Sequence, residues 1–318
     1  MKILKVTLAV ICLALGSGAA LAQHWPSRPI TMIVPYNPGG TTDNLARLAA
    51  DAISTAVKQP VVVENKPGAA GVVGATLASK APNDGYTIFF GNNATNVVQP
   101  LINSAVRYDP IKNFDGIATT ADAATFVGVN SGLGIKDLKS FVAYLKKHPN
   151  TKYGTAGVGS MGQFTAEYFL MTTGTHATHI PYPGSNNAAA AVMSGEVQFM
   201  IDPVVLRYAG SNKITILAAL TAKRHPNLPN VPTAKELGYN VEVSGWFGLF
   251  APKGTDPKKI EVMSAAVKKL VQTPSYRKQV LRMGLLPDYR DPAETNAVVK
   301  KDLAVFKKIR DEAGIKIR

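Results

Sequence analysis

Seven apolar residues, Leu45, Leu48, Ala49, Ala52, Ile53, Ala56 and Val57, recur at i, i+3, i+4, i+7, i+8, i+11 and i+12. That spacing puts them on one face of a helix. Short apolar runs flank the helix. Ile30 to Val34 reads as a buried strand before it, and Val61-Val62-Val63 as a second strand after it. A glycine-rich segment, Asn65 to Gly71, then leads into a small-residue helix through Leu77 and Ala78. Pro82-Asn83-Asp84-Gly85 makes a turn, and Tyr86 to Phe90 a third strand. Three strands alternating with two helices form a βαβαβ unit, which dictates a parallel sheet with right-handed crossovers.

The alternation resumes further on. Phe126 to Val129, Lys152 to Ala156, His179 to Tyr182, Val197 to Ile201 and Ile214 to Leu220 read as strands. Helical patterns around Leu138, Phe164 and Ala188 to Met193 separate them. Trp246 to Phe250 is an apolar strand suited to return to the first unit, and helices around Val262 to Leu270 and Asn296 to Ile309 close the chain. The expected fold class is α/β, with two lobes, each a mostly parallel sheet flanked by helices, and a ligand cleft between them. The division expected is 1–22 as a leader, 23–124 with 247–318 as lobe 1, and 125–246 as lobe 2. Ligands of open α/β sheets sit beyond the carboxyl ends of the strands, and paired lobes close on them by hinge motion. Loops 36–43, 91–96, 156–163, 182–185 and 202–203 would line that cleft.

The leader has a basic start at Lys2 and Lys5, an apolar run from Val6 to Leu15, and Ala20-Leu21-Ala22 ahead of Gln23. This is the pattern of a secretory signal peptide cleaved after Ala22, with an apolar run too short to stop transfer. The expected location is the periplasm. The one cysteine, Cys12, falls inside the leader and far from the cleavage point, so the mature chain has no thiol for a disulfide, a metal or nucleophilic attack. With 35 Lys and Arg against 21 Asp and Glu in 318 residues, the chain carries a formal charge of +14. The basic residues are scattered, with no block of like charge, which points to an anionic small ligand or to solubility and away from nucleic acid.

Two loops suit an anion. Pro35-Tyr36-Asn37-Pro38-Gly39-Gly40-Thr41-Thr42-Asp43 joins a strand to the first helix, with Thr41, Thr42 and Asp43 as capping chemistry, and would aim free N–H groups and the helix dipole at one point. An inert tight turn fits the same residues. Gly157-Val158-Gly159-Ser160-Met161-Gly162 matches a dinucleotide fingerprint, but the region about 20 residues on, where an acidic residue would hold the ribose, is Thr175 to Ile180, with no Asp or Glu from there until Glu196. The N–H groups of Gly157 to Ser160 and the Ser160 hydroxyl would serve a carboxylate as well. Ser160 with His176 or His179 and Asp202 can be drawn as a hydrolase triad, although the spacing does not require it and the elbow motif is imperfect. His176 and His179 lack a carboxylate cluster for a metal site. Asp202, at a strand end before Pro203, is either a turn cap or an acceptor for a ligand hydroxyl, amine or water. Trp246 and Phe247 read as packing residues, with contact to a ligand's apolar body as the alternative.

Together these segments resemble the substrate-binding receptors of tripartite tricarboxylate transporters, the Bug-type periplasmic receptors. The resemblance rests on Trp25-Pro26-Ser27-Arg28-Pro29-Ile30, Val34 through Asp43, Val62 through Gly68, Pro82 through Thr87, Tyr153 through Ser160, His179 through Tyr182, Trp246 through Leu249 and Ala251 through Gly254. It implies a Venus flytrap of the periplasmic-binding-protein type, without catalysis, cofactor or metal, that acts as a monomer. Such a receptor captures a small organic carboxylate and delivers it to the membrane components of the transporter. It also implies a carboxylate site, partly water-mediated, between Tyr36, Asn37, Gly40, Thr41 and Thr42 on one side and Ala156, Gly157, Gly159 and Ser160 on the other. Selectivity would fall to Asn92, Asn93, Thr95, Tyr182, Pro183 and Asp202. Several positions depart from the family pattern: Asn37 stands where proline is common, Asn96 and Gln163 stand where histidine is frequent, Pro183 replaces a lysine and Pro203 an asparagine, so that lysine and histidine cations are lost. These departures lean towards a monocarboxylate, or a dicarboxylate held by neutral donors, aromatic acids included. A secreted hydrolase using Ser160 and a ligand-sensing subunit for a membrane kinase stand as alternatives.

Overall fold

A computed structural model describes residues 25–315, so the leader expected at 1–22 lies outside the described residues. The chain opens with β1 (Ile30–Val34), α1 (Thr41–Val57), β2 (Val61–Asn65), α2 (Val72–Ser79) and β3 (Thr87–Asn92). A π turn at Ala94–Val98 runs into the short α3 (Gln99–Ile102), and β4 (Phe114–Ala123) passes almost directly into β5 (Phe126–Asn130). Then follow α4 (Leu138–Lys147), β6 (Lys152–Thr155), α5 (Met161–Thr173), β7 (Thr178–Pro181), α6 (Ser185–Ser194), β8 (Phe199–Asp202), a 3-10 turn (Pro203–Tyr208) and β9 (Ile214–Ala219). The last segment holds β10 (Gly245–Pro252), α7 (Pro257–Gln272), α8 (Pro274–Arg282), β11 (Leu285–Pro287) and α9 (Pro292–Glu312). Among the described residues no helix is long and apolar enough to cross a membrane.

The strands form two sheets, ordered β11-β4-β10-β3-β1-β2 and β7-β6-β8-β5-β9. The expected parallel units are present: β1 pairs in parallel with β2 and β3, and β6 with β7 and β8. Antiparallel strands complete each sheet, β10, β4 and β11 in the first, β5 and β9 in the second. Four of six strands in one sheet and four of five in the other therefore run the same way. The sequence pattern missed β4, whose run Gly116-Ile117-Ala118-Thr119-Thr120-Ala121 mixes small and polar residues that are nevertheless buried.

Each sheet is covered on both faces, which is why its strands read as continuous apolar runs. Met32, Val34 and Phe90 face Leu45, Ala49 and Ile53 of α1 together with Met263 and Val267 of α7. Their sequence neighbours Ile33 and Phe89 face the other way, onto Val72, Ala75, Phe250 and the α9 residues Phe306 and Ile309.

Two junctions between the lobes bear on the site. The first is a hinge where the two crossings run side by side. Gly245 pairs with Ala123, the Leu220 N–H donates to the Thr125 carbonyl at 2.8 Å, and the Val243 N–H donates to the Leu220 carbonyl at 3.0 Å. Arg290 braces this hinge with two bonds to Asp122, of 2.9 and 2.7 Å, and Ser244 adds a third at 3.1 Å. The second is a packing contact. Phe164 of α5 leaves its own lobe's core and stacks on Phe306 of α9, ring centroids 5.0 Å apart.

Candidate functional site

The β1–α1 loop folds as a turn and helix start, with a correction to its capping. Gly39 adopts φ +81, a left-handed conformation that glycine takes without strain, and the N-cap is Gly40, which has no side chain to cap with. Thr41 and Thr42 are already helical. Asp43, only 2% exposed, reaches back from the third helical position to accept the Gly39 N–H at 2.9 Å. It also accepts two bonds from Arg47, 2.9 and 3.1 Å, and one from Asn65 at 2.9 Å. Burial pushes its carboxyl up, but these bonds outweigh it and hold the group below the ordinary carboxylate range. The negative charge inside the expected anion cradle is thus neutralised by Arg47. The N–H groups of Thr41, Thr42 and Asp43 are left without an intrahelical partner, as at any helix start. Thr41 and Asn37 are exposed, whereas Thr42 is buried beneath the turn.

The β3 loop is a closed network. The Tyr36 hydroxyl donates to Asn92 Oδ1 at 3.2 Å, and the Thr95 N–H donates to the same oxygen at 3.1 Å. Thr95 is fully buried and its hydroxyl bonds the Asn92 carbonyl and Asn96 Oδ1, so it shapes the loop from beneath. Asn93 donates to Asp302 Oδ2 at 3.1 Å, the oxygen that also accepts the Trp246 indole N–H at 2.9 Å. Trp246 is therefore a packing residue with a satisfied N–H. Burial pushes the Asp302 carboxyl up to about 6.

The glycine-serine loop commits most of the donors expected of it to its own turn. The Gly157 N–H goes to Thr155 Oγ1 at 3.2 Å, the Gly159 N–H to Gln163 Oε1 at 2.7 Å, and the Ser160 N–H to the Gly157 carbonyl at 3.2 Å. Ser160 Oγ caps α5 by accepting the Gln163 N–H at 3.3 Å. Gln163 thus serves the loop itself. Gly159, at φ +77, lies against Ile102 of the other lobe, and a β-carbon there would come within 2.4 Å of the Ile102 side chain. No triad is assembled. His179 Nε2 bonds Thr155 Oγ1 at 2.6 Å, and Asp202 is bonded to Ser185 and Val204.

A cleft of about 950 Å³ opens between the lobes, lined from lobe 1 by Thr41, Phe247 and 281–285, and from lobe 2 by 183–187, 202–204, Leu206 and Arg207. Of the expected residues it brings together Thr41, Pro183 and Asp202. Asn92 and Asn93 line an adjoining chamber of about 130 Å³, which shares Ala123, Pro203 and Phe247 as walls with the cleft. Tyr36, Asn37, Gly40, Thr42, Thr95, Ala156, Gly157, Gly159, Ser160, Gln163 and Tyr182 do not line either space. The Tyr182 hydroxyl is taken up by Glu196 at 2.8 Å, and its pKa is pushed up to about 12, first by desolvation and then by that carboxylate. Asp202 takes the turn-cap role offered for it, and its second oxygen is bonded within the protein. Oδ1 caps the following turn through the Val204 N–H, and Oδ2 accepts from Ser185, both at 2.8 Å, while burial raises its pKa.

Sequence reasoning missed Asn186, Asn187, Asn227, Arg207 and Arg282, all of which line the cleft. Asn186 and Asn187 follow the Pro183-Gly184 turn and were legible as polar residues there. The arginines carry no local signal, since each ends an ordinary helical turn.

The family model for the tripartite tricarboxylate transporter family receptor matches residues 45–315. Protein BugT of Bordetella pertussis is 31% identical over 302 residues, covering 93% of each chain. Among solved structures, a TctC solute-binding protein from Polaromonas without ligand superposes with a TM-score of 0.83 at 29% identity, over 91% of this chain and 99% of that one. Rpa4515 of R. palustris with adipate gives 0.71 at 30% identity, over 92% and 99%.

Proposed function

Since the chain belongs to the tripartite tricarboxylate transporter receptor family, we propose that it captures a small organic carboxylate in the interlobe cleft and delivers it to the transporter's membrane components. On this reading 23–124 with 247–318 forms one jaw and 125–246 the other. The observation that carries it is the cleft itself, about 950 Å³, into which both lobes turn polar groups from loops and helix ends: Thr41 from one side, Ser185, Asn186 and Asn187 from the other. Neutral donors at helix starts suit an anion that must be released again. On this reading the described form is the open one, which the comparison of relatives supports. At nearly equal identity it superposes better on a ligand-free relative than on one holding adipate, 0.83 against 0.71. Closure would bring the glycine-serine loop of one jaw towards Tyr36 and Thr41 of the other, completing the clamp expected of them.

The test is a melting series of the purified chain against mono-, di- and tricarboxylates. A bound acid at 100 times its Kd stabilises the folded form by about 2.7 kcal/mol. A panel in which no acid moves the transition would refute the reading. Uptake of the active acid should then disappear in cells lacking this chain. Retained uptake would refute the delivery step.

A further inference from the structure

The chamber of about 130 Å³ beside the cleft differs from it in chemistry. The two spaces share Ala123, Pro203 and Phe247 as walls. Beyond these, the chamber is lined by Trp246 of β10 and Ala94 of the π turn on one side, and by Met161 of α5 and Ile201 of β8 on the other. Ala94, Met161, Pro203 and Phe247 are half-buried and so have apolar surface left to cover, while Trp246 and Ile201 are already buried. No Asp, Glu, Lys, Arg or His lines the chamber. Polar side chains in its wall are engaged within the protein. Thr165 Oγ1 donates to the Met161 carbonyl at 2.8 Å, Asn93 donates to Asp302 at 3.1 Å, and Asn92 Oδ1 accepts from Tyr36 and Thr95. The adjoining cleft, by contrast, has Thr41, Ser185, Asn186 and Asn187 among its walls. The chamber is also of ring size, since an apolar cavity of about 150 Å³ admits a benzene molecule.

We propose that this chamber takes the uncharged body of the ligand while the cleft holds its carboxylate, so that the preferred ligand is a monocarboxylate carrying one six-membered ring, aromatic or alicyclic. This rests on the carboxylate-receptor reading and names the class of acid. A second carboxylate entering the chamber would give up water with no cation to meet it. A ring instead exchanges water for Met161, Phe247 and Pro203, and its apolar area is what such walls reward. An apolar pocket beside a few placed polar groups is the usual form of a small-molecule site. Because β10 belongs to one sheet and α5 and β8 to the other lobe, the jaws tighten on the ring as they close. Burial of the ring is thereby coupled to closure.

The experiment is calorimetric titration of the purified mature chain with benzoate, cyclohexanecarboxylate, 2-naphthoate, acetate and succinate. Benzoate or cyclohexanecarboxylate should bind at least about tenfold tighter than acetate and than succinate. Benzoate ahead of cyclohexanecarboxylate assigns the aromatic class, and the reverse order the alicyclic one. Ala94→Leu narrows the chamber at a half-buried position and should lower the ratio of ring-acid to succinate affinity by about tenfold. Met161→Ala widens it and should raise the ratio of 2-naphthoate to benzoate affinity by about tenfold. The widened variant decides alone if the leucine variant fails to fold. The assignment is overturned if acetate or succinate binds as tightly as both six-membered ring acids, or if either folded variant keeps the parental ratio. If none of these acids binds and none in the melting series shifts the transition, the carboxylate-receptor reading itself fails.

Discussion

Replacing Asp302 by Asn is expected to change the pH dependence of stability. Asp302 Oδ2 accepts from Trp246 and from Asn93, tying the β3 loop to the hinge strand β10. Burial raises its carboxyl from 3.8 to about 6, against the lowering influence of Trp246, Lys301, Arg290 and Asn93. Between those two values the folded chain keeps a proton that the unfolded chain has lost. Stability from this group is therefore fully present below about pH 4, falls as pH rises towards about 6, and is level above. A gap of roughly two pKa units at 1.36 kcal/mol each sets the fall at about 3 kcal/mol. The Asp302→Asn side chain cannot titrate, still accepts the indole N–H, and can donate to Asn93 Oδ1, which has no partner among the described residues. The assay is urea unfolding of both proteins from pH 4 to pH 7, read by tryptophan fluorescence. The variant should gain on the parent by about 3 kcal/mol across that range, while other titrations cancel in the difference. A difference that stays flat, or shrinks as pH rises, would refute the argument that a buried carboxylate at this position costs stability.

Two further outcomes follow from the contacts between the lobes. Phe164→Ala removes a ring buried against Phe306 and should destabilise by about 3 to 5 kcal/mol in the same unfolding assay; a loss under about 1 kcal/mol would mean that the lobes are not pinned there. Gly159→Ala adds a β-carbon 2.4 Å from Ile102 at a left-handed position. It should cost about 1 to 3 kcal/mol, and less when introduced into an Ile102→Ala background than into the unaltered chain. An equal cost of Gly159→Ala in the two backgrounds would show that the contact contributes nothing.

The periodic parts of the chain were legible because helix and strand spacing are local properties. The stripe from Leu45 to Val57 needs only its own residues to announce a helix with a buried face, and the runs at 30–34, 61–63 and 86–90 need only theirs to announce strands. From these came the α/β class, and the return of Trp246 to Phe250 to the first sheet was anticipated from the same pattern. β4 escaped because Thr119 and Thr120, polar in sequence, are fully buried by pairing with distant segments. The loops were found, but their donors were not apportioned. Whether the Gly159 N–H faces a ligand or Gln163 depends on a rotamer four residues away, and spacing does not encode it. Only the tertiary structure set Phe164 of one lobe against Phe306 of the other, 142 residues on. It alone brought Arg207 and Arg282 to facing walls of one cleft. A charge acts through space, and the space between two lobes is defined by how the chain crosses between sheets, not by the residues beside the charge.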